Sequence, residues 1–156
     1  KHGSYYPTWI LRLFKKGKAR SEQRQMDEHI VLLEGKAEKL KNDFIDNNKK
    51  DLTWWTEKHN NYASREAVEK MNYELGIRNY GEKLGGQTGR KRWLKNNFYY
   101  KMPMFFRACF YFCYRYFIRL GFLDGKEGLI FHFLQGFWYR FLVDAKIYES
   151  KKKFKK

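Results

Sequence analysis

The sequence holds 156 residues, with 33 Lys and Arg against 17 Asp and Glu, a formal net charge of +16. A chain 43% hydrophobic and 20% aromatic carries too much core-forming material for a disordered basic tail. Two Pro and twelve Gly exclude collagen-like and low-complexity classes. The length fits one ordinary domain or a piece of a larger one. No charged-then-apolar signal segment opens the chain, and it begins on Lys1 rather than Met, so residues upstream are expected.

In chain order, residues 5–14 read as a short extended apolar segment with Pro7 near its start, and Lys15 to Arg24 as a cationic loop. His29 to Leu33 reads as a strand or buried edge, ended by Glu34-Gly35. From Asp51 a period near 3.6 appears in Leu52, Trp55, His59, Tyr62, Met71 and Leu75, predicting a helix that stops at Gly76. Five glycines between 76 and 89 mark a hinge. Beyond the basic run Arg90 to Lys95, Met102-Pro103 signals a helix start, and Met104–Leu120 reads as one helix with Gly121 as its stop. Asp124-Gly125-Lys126-Glu127 has capping-box spacing, so a second helix is expected to run to about Glu149. The reading divides the chain into 1–50, 51–89 and a helical hairpin with a Lys-rich tail over 90–156.

Charge and rings are unevenly placed. Residues 1–89 carry a net +4 and 10 aromatics, whereas residues 90–156 carry +12 and 21 aromatics. Basic and aromatic together suggest single-stranded nucleic acid or an anionic membrane surface. Stacking platforms for bases usually sit on strands; here the rings alternate with Leu, Ile, Val and Met along helices, so no nucleic acid is expected. Met104–Leu120 spans about 26 Å, short of the roughly 30 Å hydrocarbon core. A spanning helix would also bury Arg107, Arg115 and Arg119 at several kcal/mol each (about 3 on insertion scales). The expectation is an interfacial hairpin whose arginines Arg107, Arg115, Arg119 and Arg140, with Trp138, meet the membrane interface. The bland alternative is that the rings are core against another domain.

Little in the sequence carries chemistry on its own. Cys109 and Cys113 stand four apart in an apolar helix without His or carboxylate between them, which predicts neither disulfide nor metal site. No phosphate-binding glycine loop is present. The acidic-plus-His cluster is Asp27-Glu28-His29, with Arg12, Lys15, Lys16, Lys18, Arg20 and Arg24 near in sequence. Such a setting suits a diphosphate held by cations while a carboxylate removes a proton from an attacking hydroxyl.

Tyr6-Pro7-x-Trp9-x-x-Arg12-Leu13-Phe14-Lys15-Lys16-Gly17-Lys18, followed by Asp27-Glu28-His29 and Glu34-Gly35-Lys36, resembles the acceptor half of bacterial family 2 glycosyltransferases. The likeness is to enzymes of lipopolysaccharide-core and cell-surface polysaccharide synthesis. It continues through Lys58-His59-x-x-Tyr62-Ala63-x-x-Glu66-Ala67 and Arg115-x-x-x-Arg119-x-Gly121-Phe122-Leu123-Asp124-Gly125-x-x-Gly128, then from Tyr139 to Lys146.

The resemblance implies an α/β fold: the C-terminal part of a GT-A, Rossmann-like glycosyltransferase, mostly helical over this stretch with a few short strands. It implies sugar transfer from a nucleotide-sugar donor to a lipid-linked or glycan acceptor, at the cytoplasmic face of the bacterial inner membrane. Glu28 takes the position of the base, with Asp27 as alternative; Trp9, Arg12, His29 and Lys58 fall on the acceptor or diphosphate side. The family's Asp-x-Asp motif, which holds a divalent metal (Mg or Mn) and the diphosphate, does not occur in this sequence. The donor site and metal are therefore expected outside this chain, with no activity alone. The competing reading is a non-enzymatic basic, aromatic module that binds membrane or nucleic acid.

Overall fold

The computed structural model describes residues 2–22, 28–45, 47–76 and 86–154. Among them the chain is mainly helical with two short strands. β1 (Ala19–Ser21) and β2 (Ile30–Leu32) pair antiparallel, Ala19 opposite Leu32 and Ser21 opposite Ile30. The segment read as a cationic loop thus contains a strand. The Glu22 N–H donates to the His29 carbonyl at 2.9 Å, carrying the pairing one step past the strands.

Helix α1 (Leu52–Glu74) starts where Asp51 caps it, its carboxylate accepting the Trp54 N–H at 2.8 Å. It ends at Gly76, whose φ of 70° closes the last turn. Its buried face differs from the apolar stripe in the sequence. Ala63, Glu66, Ala67 and Lys70 are buried, while Leu52 and Leu75 are exposed. Two alanines one turn apart let α5 (Tyr139–Lys153) approach closely, and Tyr139, Val143 and Ile147 fill that seam. Met71, Met104, Trp138 and Leu142 pack around it. This core takes residues from both the predicted 51–89 and 90–156 segments. Of the hinge, residues 77–85 lie outside the described residues.

The basic run lies on α2 (Gly86–Asn97), followed by a 3-10 turn at Tyr99–Lys101. The hairpin forms, but each of its rods changes winding. α3 (Phe106–Cys113) continues as a π-helical stretch, Tyr114–Ile118. α4 (Gly125–Phe131) continues as another, His132–Trp138, and then as α5. Helix α3 begins later than Met102-Pro103 predicts, because Phe105 takes φ 68° and its N–H donates to Asp144 Oδ2 at 2.8 Å. The Lys tail is helical to Lys153; Lys151 pairs with Glu74 at 2.7 Å, and Lys153 with Glu149.

The tight turn between the rods departs from the expected caps. The left-handed residue is Leu120, φ 59°, rather than Gly121. Gly121 is needed for space instead: a Cβ there would lie 2.5 Å from His132 Nε2 and 2.9 Å from the Arg115 carbonyl. The capping box does not form. Asp124 makes no side-chain cap bond and accepts the His2 N–H at 2.9 Å. Gly121→Ala is therefore expected to destabilise the chain by about 1–3 kcal/mol through overpacking, read as a lower urea midpoint. An unchanged midpoint would mean that His132 moves aside without cost.

Candidate functional site

The end of the β-hairpin brings Glu28 and His29 of the predicted cluster together with Glu22 and Arg92, which sequence spacing did not point to. Glu28 is exposed and accepts the Ser21 hydroxyl at 3.1 Å. Among the described residues no cation pairs with it. Glu22, the residue after β1, has a side chain 1% exposed and gripped by Arg92 of α2. The guanidinium donates through Nη1 to Oε1 at 2.7 Å and through Nη2 to Oε2 at 2.8 Å, a bidentate fork. His29 Nδ1 lies 3.5 Å from Arg92 Nη2 and 3.9 Å from Glu22. The two carboxylates therefore differ in setting: Glu22 is buried in the fork from Arg92, and Glu28 is open to solvent. Asp27, the alternative base, lies outside the described residues, as does Arg24.

The other predicted ligands are placed elsewhere. Trp9 stands under the Lys39 ammonium, 4.4 Å from its ring, and Arg12 faces Phe44 at 5.9 Å. Both belong to the exposed irregular segment before the hairpin, and Lys39 and Phe44 to the one after it. Lys58 sits on α1 between Trp54 (4.6 Å) and Tyr62 (5.5 Å), a cation held by rings of its own helix face. Lys18 is paired with Glu34. No groups of three or more His, Cys, Asp or Glu come together among the described residues as a metal site.

The expected membrane-facing arginine stripe is overturned for three of its four cations, because carboxylates and tyrosines draw them inward. Arg107 is buried against Asp144, its Nε 2.9 Å from both carboxylate oxygens, with Nη2 also donating to Oδ1. Tyr99 and Tyr100 lie over the same guanidinium at 5.3 and 5.1 Å. Arg140 donates to Glu66 at 3.1 Å. Arg115 is buried with its guanidinium 3.3 Å from the Tyr5 ring centre, and its Nη1 donates to the Tyr111 hydroxyl at 2.6 Å. Arg119 alone of the four is exposed, donating to Ser4. Trp138, the fifth interface residue, is half-buried beside the Trp55 ring at 6.1 Å.

Glu66 organises this interior. Its carboxylate accepts from Tyr139 at 2.6 Å and Tyr100 at 3.0 Å, and pairs with Lys95 of α2 at 2.7 Å as well as with Arg140. Burial pushes its pKa up, but Lys95 and Arg140 overcome that and hold it well below the usual carboxylate range. For Arg140, burial disfavours the charged form and Glu66 more than reverses the effect. The Tyr99 hydroxyl, pushed up to about 12 by burial, stays neutral. Sequence reading missed Glu66 as a keystone; the available signal was a carboxylate between two alanines on an otherwise apolar-spaced face.

Comparison with protein-family models, with curated proteins and with solved structures gives no match.

Two outcomes check this interior. Asp144→Ala leaves Arg107 buried without its anion and frees the Phe105 N–H; the expected loss is about 3–5 kcal/mol in urea unfolding. Glu66 is ionised when folded and its pKa there is depressed. Its contribution is thus complete above the unfolded carboxylate range, about 4.3, and fades as pH falls below it. The stability gap between the parent and Glu66→Gln should accordingly narrow from about pH 7 to about pH 3. A gap constant across that range would show that folding does not depress the pKa of this carboxylate.

Proposed function

We propose that this chain is the acceptor-side part of an inverting family 2 glycosyltransferase of GT-A type, working at a membrane surface in cell-envelope polysaccharide or lipopolysaccharide synthesis. The family resemblance supports the reaction class. The observation that carries the site is the division of labour at the hairpin end: Glu22 is locked by Arg92, while Glu28 is exposed beside Ser21.

In this reading the Glu28 carboxylate takes the proton of the acceptor hydroxyl as its oxygen attacks the anomeric carbon of the donor sugar. The bond from that carbon to the nucleotide diphosphate breaks, and the diphosphate leaves with the electron pair. The Arg92–Glu22 fork is neutral as a pair and fixes the hairpin on α2, so that Glu28 is presented from a held backbone. His29, half-exposed beside Arg92, is placed to touch the acceptor or the departing diphosphate. Trp9, Arg12 and Lys58 extend the acceptor side as proposed contacts. The nucleotide-sugar donor and the divalent metal are assigned to residues outside this chain, and the location to the cytoplasmic face of the inner membrane.

A second reading is a non-enzymatic basic, aromatic module. The exposed rings of the hairpin favour its membrane form over its nucleic-acid form, since they lie on helices among aliphatic side chains. Glu28→Gln in an enzyme that includes this chain separates the two. Transfer should fall by about 10²- to 10⁴-fold while nucleotide-sugar binding, followed by calorimetry, persists. Near-parental turnover would remove Glu28 from the role of base.

A further inference from the structure

The burial of Arg107 and Arg115 and the pairing of Arg140 with Glu66 reverse the polarity of the hairpin, and the face left outside is aromatic. Phe117, Phe112, Phe133, Phe137 and Phe141 follow one another ring to ring: Phe112 lies 6.4 Å from Phe117 and 6.2 Å from Phe133, Phe133 lies 5.5 Å from Phe137, and Phe137 lies 5.7 Å from Phe141. One continuous seam therefore crosses both rods. Its outer members remain 56% (Phe117), 45% (Phe133) and 40% (Phe141) exposed. Rings in that state within a packed molecule mark a surface that meets something apolar.

Charge selects the occupant. Of the four carboxylates in residues 90–156, Asp144 is buried on Arg107, Asp124 is engaged by His2, Glu149 is paired with Lys153, and Glu127 is exposed. Exposed cations stand at both ends of the hairpin: Arg119 and Lys126 near the turn, Lys101 and Lys151 to Lys153 at the other end. Beside the turn a cavity of about 280 Å³ is lined by His2, Ser4, Tyr6 and Arg119, with Ile118 and Leu120 forming its apolar side. Ile118 and Leu120 are exposed next to Phe117. A guanidinium and hydroxyls bordering exposed aliphatic and aromatic side chains fit an anionic headgroup whose acyl chains lie against the rings. No described helix is long and apolar enough to cross a membrane, so the fit is to lying on a leaflet.

We infer that the hairpin docks flat on an anionic lipid leaflet through the Phe117–Phe133–Phe141 face, with Arg119 and its cavity at the lipid phosphates. This deepens the membrane-surface part of the proposed function and does not depend on the transfer reaction, because vesicle binding and transfer are read in separate assays.

The test is co-sedimentation of the full chain with phosphatidylcholine vesicles and with vesicles rich in phosphatidylglycerol, at rising salt. Binding is expected on the anionic vesicles, weakening as salt screens the cations. The triple variant Phe117→Ser, Phe133→Ser, Phe141→Ser should bind about tenfold or more weakly, with circular dichroism reporting its fold. Arg119→Gln, a change at an exposed side chain, should weaken binding to the anionic vesicles and leave residual binding to phosphatidylcholine unchanged. The inference is overturned if the parent ignores both vesicles, or if a folded triple variant or Arg119→Gln binds like the parent. It is also overturned if the parent is a dimer that the triple variant splits, making a second copy the occupant, or if it prefers single-stranded RNA to vesicles.

Discussion

A buried carboxylate that must find cations sets the arrangement of the helical body. Glu66 lies on the face of α1 that packs against α5, where a carboxylate without partners would be costly to bury. Its partners come from three directions: Lys95 from α2, Tyr100 from the short turn after it, and Tyr139 with Arg140 from the start of α5. Satisfying one side chain thus fixes the relative placement of four stretches of chain. The alanines on either side, Ala63 and Ala67, supply the close helix approach that brings those partners within reach. Asp144 repeats the principle one layer away, holding both Arg107 and the Phe105 N–H at the root of the hairpin.

The consequence for function is a matter of which face is spent on internal pairing. A helix with arginines on one side and phenylalanines on the other can turn either side to solvent. Here two carboxylates and a set of tyrosines consume the guanidinium side, and the phenylalanines are left outside. At the other end of the molecule the same chemistry recurs on a smaller scale. Arg92 holds Glu22, and by holding it ties a hairpin of two three-residue strands, too short to be stable alone, to the helical body. Glu28 is left exposed, with the Ser21 hydroxyl donating to it.

Much of the element order was legible in the sequence. Asp51 and Gly76 bracket α1 as cap and stop, His29–Leu33 contains β2, and the turn at 121–125 joins two helical rods. What was not legible depends on contacts far apart in the chain. Asp124 has the spacing of a cap, yet His2, 122 residues away, takes its carboxylate. Arg107, Arg115 and Arg140 look like a solvent or interface stripe by periodicity, because periodicity carries no information about Asp144, Tyr5 or Glu66. The π-helical stretches at 114–118 and 132–138 also escape a period of 3.6 by construction. At the candidate site, Glu28 and His29 were readable as a cluster, whereas Glu22 was not: its partner Arg92 lies 70 residues away.

Arg107, Arg115 and Arg140 turn inward, and the aromatic face is the side inferred to meet lipid. The chain supplies its own reporter: Cys109 is exposed on the outward side of α3, between Phe106 and Phe110, which are 75% and 49% exposed. With Cys113 changed to Ser, a nitroxide attached at Cys109 reports its surroundings by collision with oxygen, which concentrates in lipid, or with a nickel chelate, which stays in water. The account predicts that anionic vesicles raise the oxygen collision rate of this label and suppress the nickel rate. A label that remains equally accessible to the nickel chelate with vesicles bound would contradict it, and would place the buried-arginine side of the hairpin, not the aromatic side, toward the membrane.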